Sequence, residues 1–158
     1  MRAMAGRIQQ EIRQTKPIRL LEEEAALNIM RTADLLMRRL SDLLKPHALS
    51  PTQYNVLRIL RGAGRDGLSS KEIGDRLVAR DPDITRLMDR LERRGLVRRE
   101  RSTGDRRIVT HCLTEDGLEL VGLLDQPIER SHCEAMGHVA RAKLQKLIAI
   151  LEEIRIAR

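Results

Sequence analysis

Arginines at helical spacing are the side chains of this sequence best suited to chemistry. Residues 86–107 hold nine arginines against four acids. Guanidinium groups pair with phosphates and with guanine edges, so this segment is suited to binding nucleic acid. Over residues 82–94 one helical face is apolar, with Ile84, Leu87, Met88 and Leu91. The opposite face carries Arg86, Asp89, Arg90 and Arg93, with Thr85 at its flank.

This two-faced helix has two interpretations. A recognition helix packs its apolar face on a partner helix and directs guanidinium groups into a major groove. An ordinary amphipathic surface helix has the same pattern, and the helical wheel alone does not separate the two.

A basic hairpin after this helix favours the first interpretation. Extended runs at 97–101 and 107–113 flank the turn residues 102–105. Arg106 and Arg107 at the tip could enter a minor groove, whose negative potential attracts arginine. Asp105 is expected to hold a neighbouring arginine by a charge-assisted hydrogen bond. The alternative is a solvated turn, but a basic helix followed by a basic hairpin is typical of a winged helix-turn-helix.

Start and stop signals place the helices around this unit. Ser50 with Gln53, and Ser69 with Glu72, predict capping boxes for two helices. The arginine-rich helix is predicted to begin at the cap Asp81, before Pro82, and to end at Gly95. The helix after the hairpin is predicted to begin at the cap Thr114 and to kink at Pro127. The flanking predictions are a short arm with Ile8 and Ile12 on one face, a helix over 18–44, and a last helix over 139–156.

The predicted fold is mainly α: a winged helix-turn-helix with a two-stranded wing and N- and C-terminal dimerisation helices. The expected units are a dimerisation helix with its arm at 1–46, the DNA-binding domain at 47–114, and dimerisation helices at 115–158. The apolar faces of 18–44 and 139–156 exceed what a small winged domain covers, so a dimer is expected.

Composition limits the classes of function that the chain could have. The net charge of +7 favours a polyanionic partner. Tyr54 is the only aromatic residue, so the core must be aliphatic and stacking platforms for single-stranded bases are absent. No apolar run is long enough for a membrane span, and no signal peptide is evident, so a cytoplasmic protein without a membrane partner is expected.

The sequence offers little support for a catalytic site or a metal site. The sequence shows no glycine-rich phosphate loop, catalytic triad or paired carboxylates, so an enzyme is not expected, and neither is a cofactor. His111-Cys112 and His132-Cys133 suggest a metal, but neighbouring residues on a strand point to opposite faces, and no metal site is predicted. Two cysteines are too few for a disulfide framework and are expected to behave as small apolar residues.

Several segments resemble the MarR family in the same order. Asp105-Arg106-Arg107, five residues, Leu113-Thr114, two residues and Gly117 match that family's wing-to-helix signature. ITRLMDRLERRGLV at 84–97 resembles its recognition helix, and LSPTQYNVLRIL at 49–60 its second helix. The resemblance covers essentially all of residues 20–156.

The resemblance implies a homodimer on palindromic double-stranded DNA, with Arg86 in the major groove and Arg107 in the minor groove. It further implies a repressor that a small molecule, such as a phenolic or other aromatic acid, releases from DNA. The effector site would lie between dimer helices and winged domain, near Arg31, His47 and Tyr54. The alternative is an architectural or RNA-binding protein without sequence preference.

The wing prediction can be tested with two variants. Arg107→Ala should weaken binding to operator and scrambled duplex alike and lower the salt slope by about one per subunit, because a minor-groove arginine acts mainly by charge. Asp105→Ala should also weaken binding, because the tip arginine loses its anchor. The measurement is a salt titration of both variants on both duplexes. Tighter binding by Asp105→Ala would show that the acid only repels DNA.

Overall fold

The computed structural model describes residues 7–79, 81–101 and 109–156. The elements in these ranges are α1 (Arg7–Glu11), α2 (Leu21–Leu44), α3 (Pro51–Ala63), α4 (Ser70–Arg76), α5 (Ile84–Arg93), β1 (Val97–Arg101), β2 (Val109–Leu113), α6 (Glu115–Met136) and α7 (Arg141–Ile156). Single 3-10 turns lie at Lys45–His47 and Gly64–Asp66. The predicted mainly α winged helix-turn-helix is confirmed. The wing tip with Asp105, Arg106 and Arg107 lies outside the described residues.

Both predicted capping boxes are present. The Gln53 amide donates to Ser50 Oγ over 3.1 Å, and the Ser50 amide donates to Gln53 Oε1 over 2.9 Å. Ser69 and Glu72 form the same reciprocal pair at the start of α4. Each box satisfies two backbone donors that a helix N-terminus otherwise leaves open, and therefore fixes where α3 and α4 begin.

The predicted cap of α5 was wrong by two residues. Asp83, not Asp81, is the N-cap, and its side chain accepts from the Arg86 amide over 3.3 Å. Asp81 Oδ1 accepts instead from the Asp83 amide over 2.8 Å. This local turn keeps Pro82 outside the helix and brings the second aspartate to the cap position, because an aspartate side chain readily bonds the amide two residues later.

The predicted stop of α5 at Gly95 is confirmed. Gly95 has a φ of 70°, where a side chain would be strained. Its amide donates to the Glu92 carbonyl over 2.8 Å, and the Leu96 amide donates to the Leu91 carbonyl over 3.1 Å. This pair of bonds is a Schellman motif, and it turns the chain from α5 directly into β1.

An aliphatic core lies where α3, α5 and α6 meet, as the near absence of aromatic residues requires. Val56, Leu57 and Leu60 of α3 are almost completely buried, and so are Leu91 of α5 and Leu124 of α6. The wing contributes Val97 and Leu113, which are opposite each other in the antiparallel pair. Helix α4 adds the buried Ile73, so both helices of the helix-turn-helix, α4 and α5, share one core with the base of the wing.

The outer helices differ from this core. The last helix begins at Arg141, so Val139 belongs to the turn before it, and α7 has no buried residue. In α2 only Leu44 is buried. In the arm, Ile8 is buried in α1, whereas Ile12 lies beyond its end and is 37% exposed. None of the helices in the described ranges combines the length and apolar character that crossing a bilayer demands.

Gly117 allows α6 to approach the end of α5 closely, and this gives a stability prediction. A Cβ atom there would lie 2.2 Å from the carbonyl oxygen of Leu96, which accepts from the Thr114 amide. Gly117→Ala should lower the free energy of unfolding by about 1–3 kcal/mol, because this backbone contact cannot yield easily. Gly122→Ala, in open space on the same helix, should raise it by about 0.5–1 kcal/mol. Urea denaturation of both variants is the measurement, and equal stability of the two would contradict the prediction.

Candidate nucleic-acid interface

The outward face of α5 carries four of the eight predicted DNA-binding residues. Thr85, Arg86, Arg90 and Arg93 are all exposed. On the opposite face Leu87, Met88 and Leu91 are buried. The helix is thus anchored by one face and presents three guanidinium groups and a hydroxyl on the other, which is the geometry that a major groove accommodates.

Arg86 and Arg90 line a small cleft of about 170 Å³ with the N-terminus of α3. Arg86 Nε lies 3.2 Å from Asp83 Oδ2, and its side chain is 77% exposed. A single exposed ion pair of this kind contributes little to stability and leaves the guanidinium accessible to a phosphate or a base edge.

Asp89 is engaged by the wing. Its Oδ1 accepts a hydrogen bond from Nη2 of Arg99 in β1. Arg99 Nε also lies 3.0 Å from Glu92 Oε2. The carboxylate of Asp89 therefore pairs with a strand residue ten positions away in the chain, whereas its backbone carbonyl accepts from Nε of the exposed Arg93.

His111 lies buried on the same face of the wing sheet, directly opposite Arg99 in the strand register. Its Nε2 is 3.0 Å from the hydroxyl oxygen of Ser70 at the start of α4, and Nδ1 has no hydrogen-bond partner. Burial, followed by the positive charge of Arg99, lowers the pKa of this imidazole. The neutral form is thus favoured at the junction of wing and helix-turn-helix.

Arg94 ties the end of α5 to the connection between α2 and α3. Its guanidinium donates to the Ala48 carbonyl over 2.6 Å and to the His47 carbonyl over 2.8 Å. His47, predicted as an effector residue, lies in this 3-10 turn. No pattern in the sequence indicates the roles of Arg94 or Arg99, because their partners are set by folding.

An apolar cavity of about 210 Å³ lies among α2, α3, α6 and the connection before α5. Its lining is Met37, Leu40, Pro51, Thr52, Tyr54, Asn55, Arg58, Val78, Ala79, Ile128 and His132. Of the three predicted effector residues only Tyr54 lines it. Arg31 lies on α2 with Nε 4.0 Å from Glu11 Oε2, so the structure does not bring the three together.

Tyr54 is buried in the wall of this cavity, and burial raises the pKa of its phenol. The guanidinium carbon of Arg58 lies 5.9 Å from the centre of its ring. The cavity thus has mainly apolar walls with the hydroxyls of Tyr54 and Thr52 and the guanidinium of Arg58, a combination that suits an apolar ligand with an acidic substituent.

The cysteines differ in environment. Cys112 is buried, and burial raises the pKa of its thiol, whereas Cys133 is exposed. Within the ranges that the structure describes, no group of three or more histidine, cysteine, aspartate or glutamate side chains could hold a metal ion.

Comparison with known proteins gives the family. The MarR family model matches residues 49–109. A MarR transcription factor from Planctomyces limnophilus is 40% identical, superposes with a TM-score of 0.66, and is matched over 85% of this chain and 98% of its own. The chain belongs to the MarR family of transcriptional regulators.

Curated relatives agree with this assignment. The HTH-type transcriptional regulator TtmR of Methylorubrum extorquens is 38% identical over 66% of this chain, and the chain spans 53% of that protein's length. The homoprotocatechuate degradative operon repressor of Escherichia coli is 25% identical over 84% of this chain and 88% of its own length.

The buried His111 gives a pH prediction. Because its pKa is lowered on folding, the unfolded chain binds the proton more readily. The stability that neutral His111 provides is complete above the unfolded pKa of about 6.5 and is lost as the pH falls toward the folded value. The free energy of unfolding should therefore fall as the pH is lowered from 7.5 to 5.5. In the His111→Gln variant the same free energy should fall less steeply. Urea denaturation across this range is the measurement, and parallel curves would contradict the prediction.

Proposed function

We propose that the protein is a sequence-specific repressor that binds palindromic double-stranded DNA as a homodimer and leaves it when a small molecule binds. The observation that carries this proposal is the outward face of α5, where Thr85, Arg86, Arg90 and Arg93 are exposed opposite a buried apolar face. In this proposal Arg86 reads a base edge in the major groove, and Arg90 and Arg93 contact base edges or phosphates nearby.

The wing completes the proposed DNA contact. Strands β1 and β2 pair as far as Arg101 and Val109, and the sequence between these two residues contains Asp105, Arg106 and Arg107. We assign Arg106 and Arg107 to the flanking minor groove and Asp105 to holding one of them. Since minor-groove contacts distinguish bases poorly, this part contributes affinity more than sequence preference.

The unpacked outer helices support the homodimer. Along α7, Leu147, Ile148 and Ile154 are each about half exposed, and on α2 Met30 and Leu35 are more than half exposed. Apolar faces of this extent usually mark an interface, and a second copy brings an identical pair of faces. The resulting two-fold symmetry would place two α5 helices on the two halves of a palindrome.

The cavity beside Tyr54 supports release by a small molecule. It holds about 210 Å³ between the proposed dimerisation helices and the winged domain. Its apolar wall with Arg58 at one side favours a small aromatic or phenolic acid. A relative of similar length is named as a repressor of a degradative operon, which favours the same sign of regulation here. The roles of Arg31 and His47 in this site stay predictions.

Selection of bound duplexes from a random DNA library tests the proposal. We expect a palindrome to be enriched, with two chains bound per duplex and binding far weaker to a scrambled duplex of equal length. Equal affinity for the scrambled duplex or for RNA would support the architectural or RNA-binding alternative instead.

Arg86→Ala tests the proposed reader directly. Operator affinity should fall by about 1–3 kcal/mol, the usual cost of losing one good base contact. The helix should remain folded, since Arg86 lies opposite the buried face and alanine favours helix. Arg38→Ala is the matched control, because this exposed arginine of α2 pairs with Asp34 much as Arg86 pairs with Asp83. Unchanged affinity and base preference in Arg86→Ala would remove it from the interface.

A further inference from the structure

One guanidinium group joins the wing to the recognition helix. From β1, Arg99 donates through Nη2 to Asp89, and its Nε lies 3.0 Å from Glu92 Oε2. Asp89 and Glu92 are three residues apart, so they lie on the same side of α5 and one turn along it. Arg99 therefore holds almost a full turn of the helix rather than a single side chain.

These contacts lie at the flank of α5, between its buried face and its exposed face. Met88 and Leu91 in the core are next to Asp89 and Glu92 in sequence, and both acids are partly exposed. Apolar packing is not directional, so it opposes removal of the helix from the core more than rotation about its own axis. Charged hydrogen bonds at the flank are directional, and they oppose that rotation.

The strand paired with the one that carries Arg99 is fixed to the first helix of the helix-turn-helix. Opposite Arg99, His111 is buried and its Nε2 lies 3.0 Å from Ser70 Oγ of α4. The backbone of His111 also exchanges hydrogen bonds with Leu68, over 2.8 and 3.0 Å. The base of the wing is thus a rigid support to which α4 is held on one strand and α5 on the other.

We propose that Arg99 is a positioning residue for sequence recognition: through Asp89 and Glu92 it sets the rotation of α5, and so the direction in which Arg86, Arg90 and Arg93 point. This rests on the proposed function of α5 as the DNA-reading helix. Base readout needs its side chains held to within about 0.5 Å and about 10–20° of the productive geometry. Under this proposal Asp89 contributes to recognition through Arg99 instead of by touching a base.

The competing role is a direct contact of Arg99 with a DNA phosphate. The two roles differ in a measurable way. Loss of a phosphate contact weakens binding to all sequences and lowers the salt slope by about one per subunit. Loss of positioning weakens the preferred sequence, leaves non-specific binding in place and keeps the salt slope.

Arg99→Gln in the full chain is the test, with a palindromic duplex selected by the wild-type protein and a scrambled duplex of equal length. Arg98→Gln is the matched control, because it removes the same charge one residue earlier. Arg98 points to the other face of the sheet, where it pairs with Glu100 and donates to the Leu113 carbonyl. Fluorescence anisotropy over a range of salt concentrations gives both affinities and both salt slopes.

We expect Arg99→Gln to lower the ratio of specific to non-specific affinity by about three- to tenfold with an unchanged salt slope, as for loss of one coupled polar contact. Arg98→Gln should leave the ratio within about twofold, because the partners of Arg98, Glu100 and the Leu113 carbonyl, lie within the wing. A fold defect would reduce the active fraction on both duplexes equally, so titration of active protein separates that outcome. An unchanged ratio, or equal losses on both duplexes with a lower salt slope, would overturn the positioning role.

A double-substitution cycle provides the second readout. In the Glu92→Gln, Asp89→Asn background, Arg99→Gln should cause almost no further loss of the affinity ratio, because its partners are already gone. A full additional loss would show that Arg99 acts on DNA without α5 and would overturn the proposal. If the wild-type protein itself prefers no duplex sequence, the proposed function fails together with this inference, whereas a normal wild-type preference with an unaffected Arg99→Gln refutes the inference alone.

Discussion

Burial of one face of α5 in an aliphatic core is the interaction on which the rest of this structure depends. Leu87, Met88 and Leu91 fill that core together with side chains of α3 and α6, and without them the opposite face would not be held out to solvent. Since the chain has no phenylalanine or tryptophan, many small aliphatic contacts must supply this burial. The capped start and the Schellman end then limit the helix to the part that the core can hold.

Polar contacts supply the orientation that apolar packing leaves open. Asp83 caps α5 at its start, Arg94 binds two backbone carbonyls at its end, and Arg99 holds its flank. The ion pairs of Arg99 are partly exposed, so they contribute little to stability. Together the three contacts hold the start, the end and the flank of α5 in place. Such positioning matters more for recognising a ligand than for keeping the chain folded.

The winged domain is well packed, whereas the outer helices are not. The fork of Arg61 on Asp125, with hydrogen bonds of 2.7 and 2.9 Å, joins α3 to α6, and lowers the pKa of that carboxyl. Helix α7, in contrast, has no buried residue and so adds no side chain to the core of its own chain. The cavity beside Tyr54 lies at the boundary between these two parts. Its wall includes Val78, whose amide donates to Asn55 Oδ1 over 2.9 Å just before α5 begins.

The sequence by itself determined the features that depend on neighbouring residues. The capping boxes at Ser50 and Ser69, the stop at Gly95 and the two faces of α5 follow from spacing of three to five residues, within which backbone geometry is nearly fixed. The Asp81 cap failed even at this range, because two aspartates flank Pro82 and only the folded turn selects between them.

Tertiary structure alone decided the contacts between distant residues. Asp89 and Arg90 both fall on the polar face of the helical wheel, yet only Asp89 meets Arg99 of the wing. His47 and Tyr54 are close in sequence, but His47 lies in the 3-10 turn before α3, and only Tyr54 lines the cavity. Arg94 finds its carbonyl partner 46 residues away. Such pairings depend on how whole elements pack against one another, and a pattern along one element holds no information about the element it will meet.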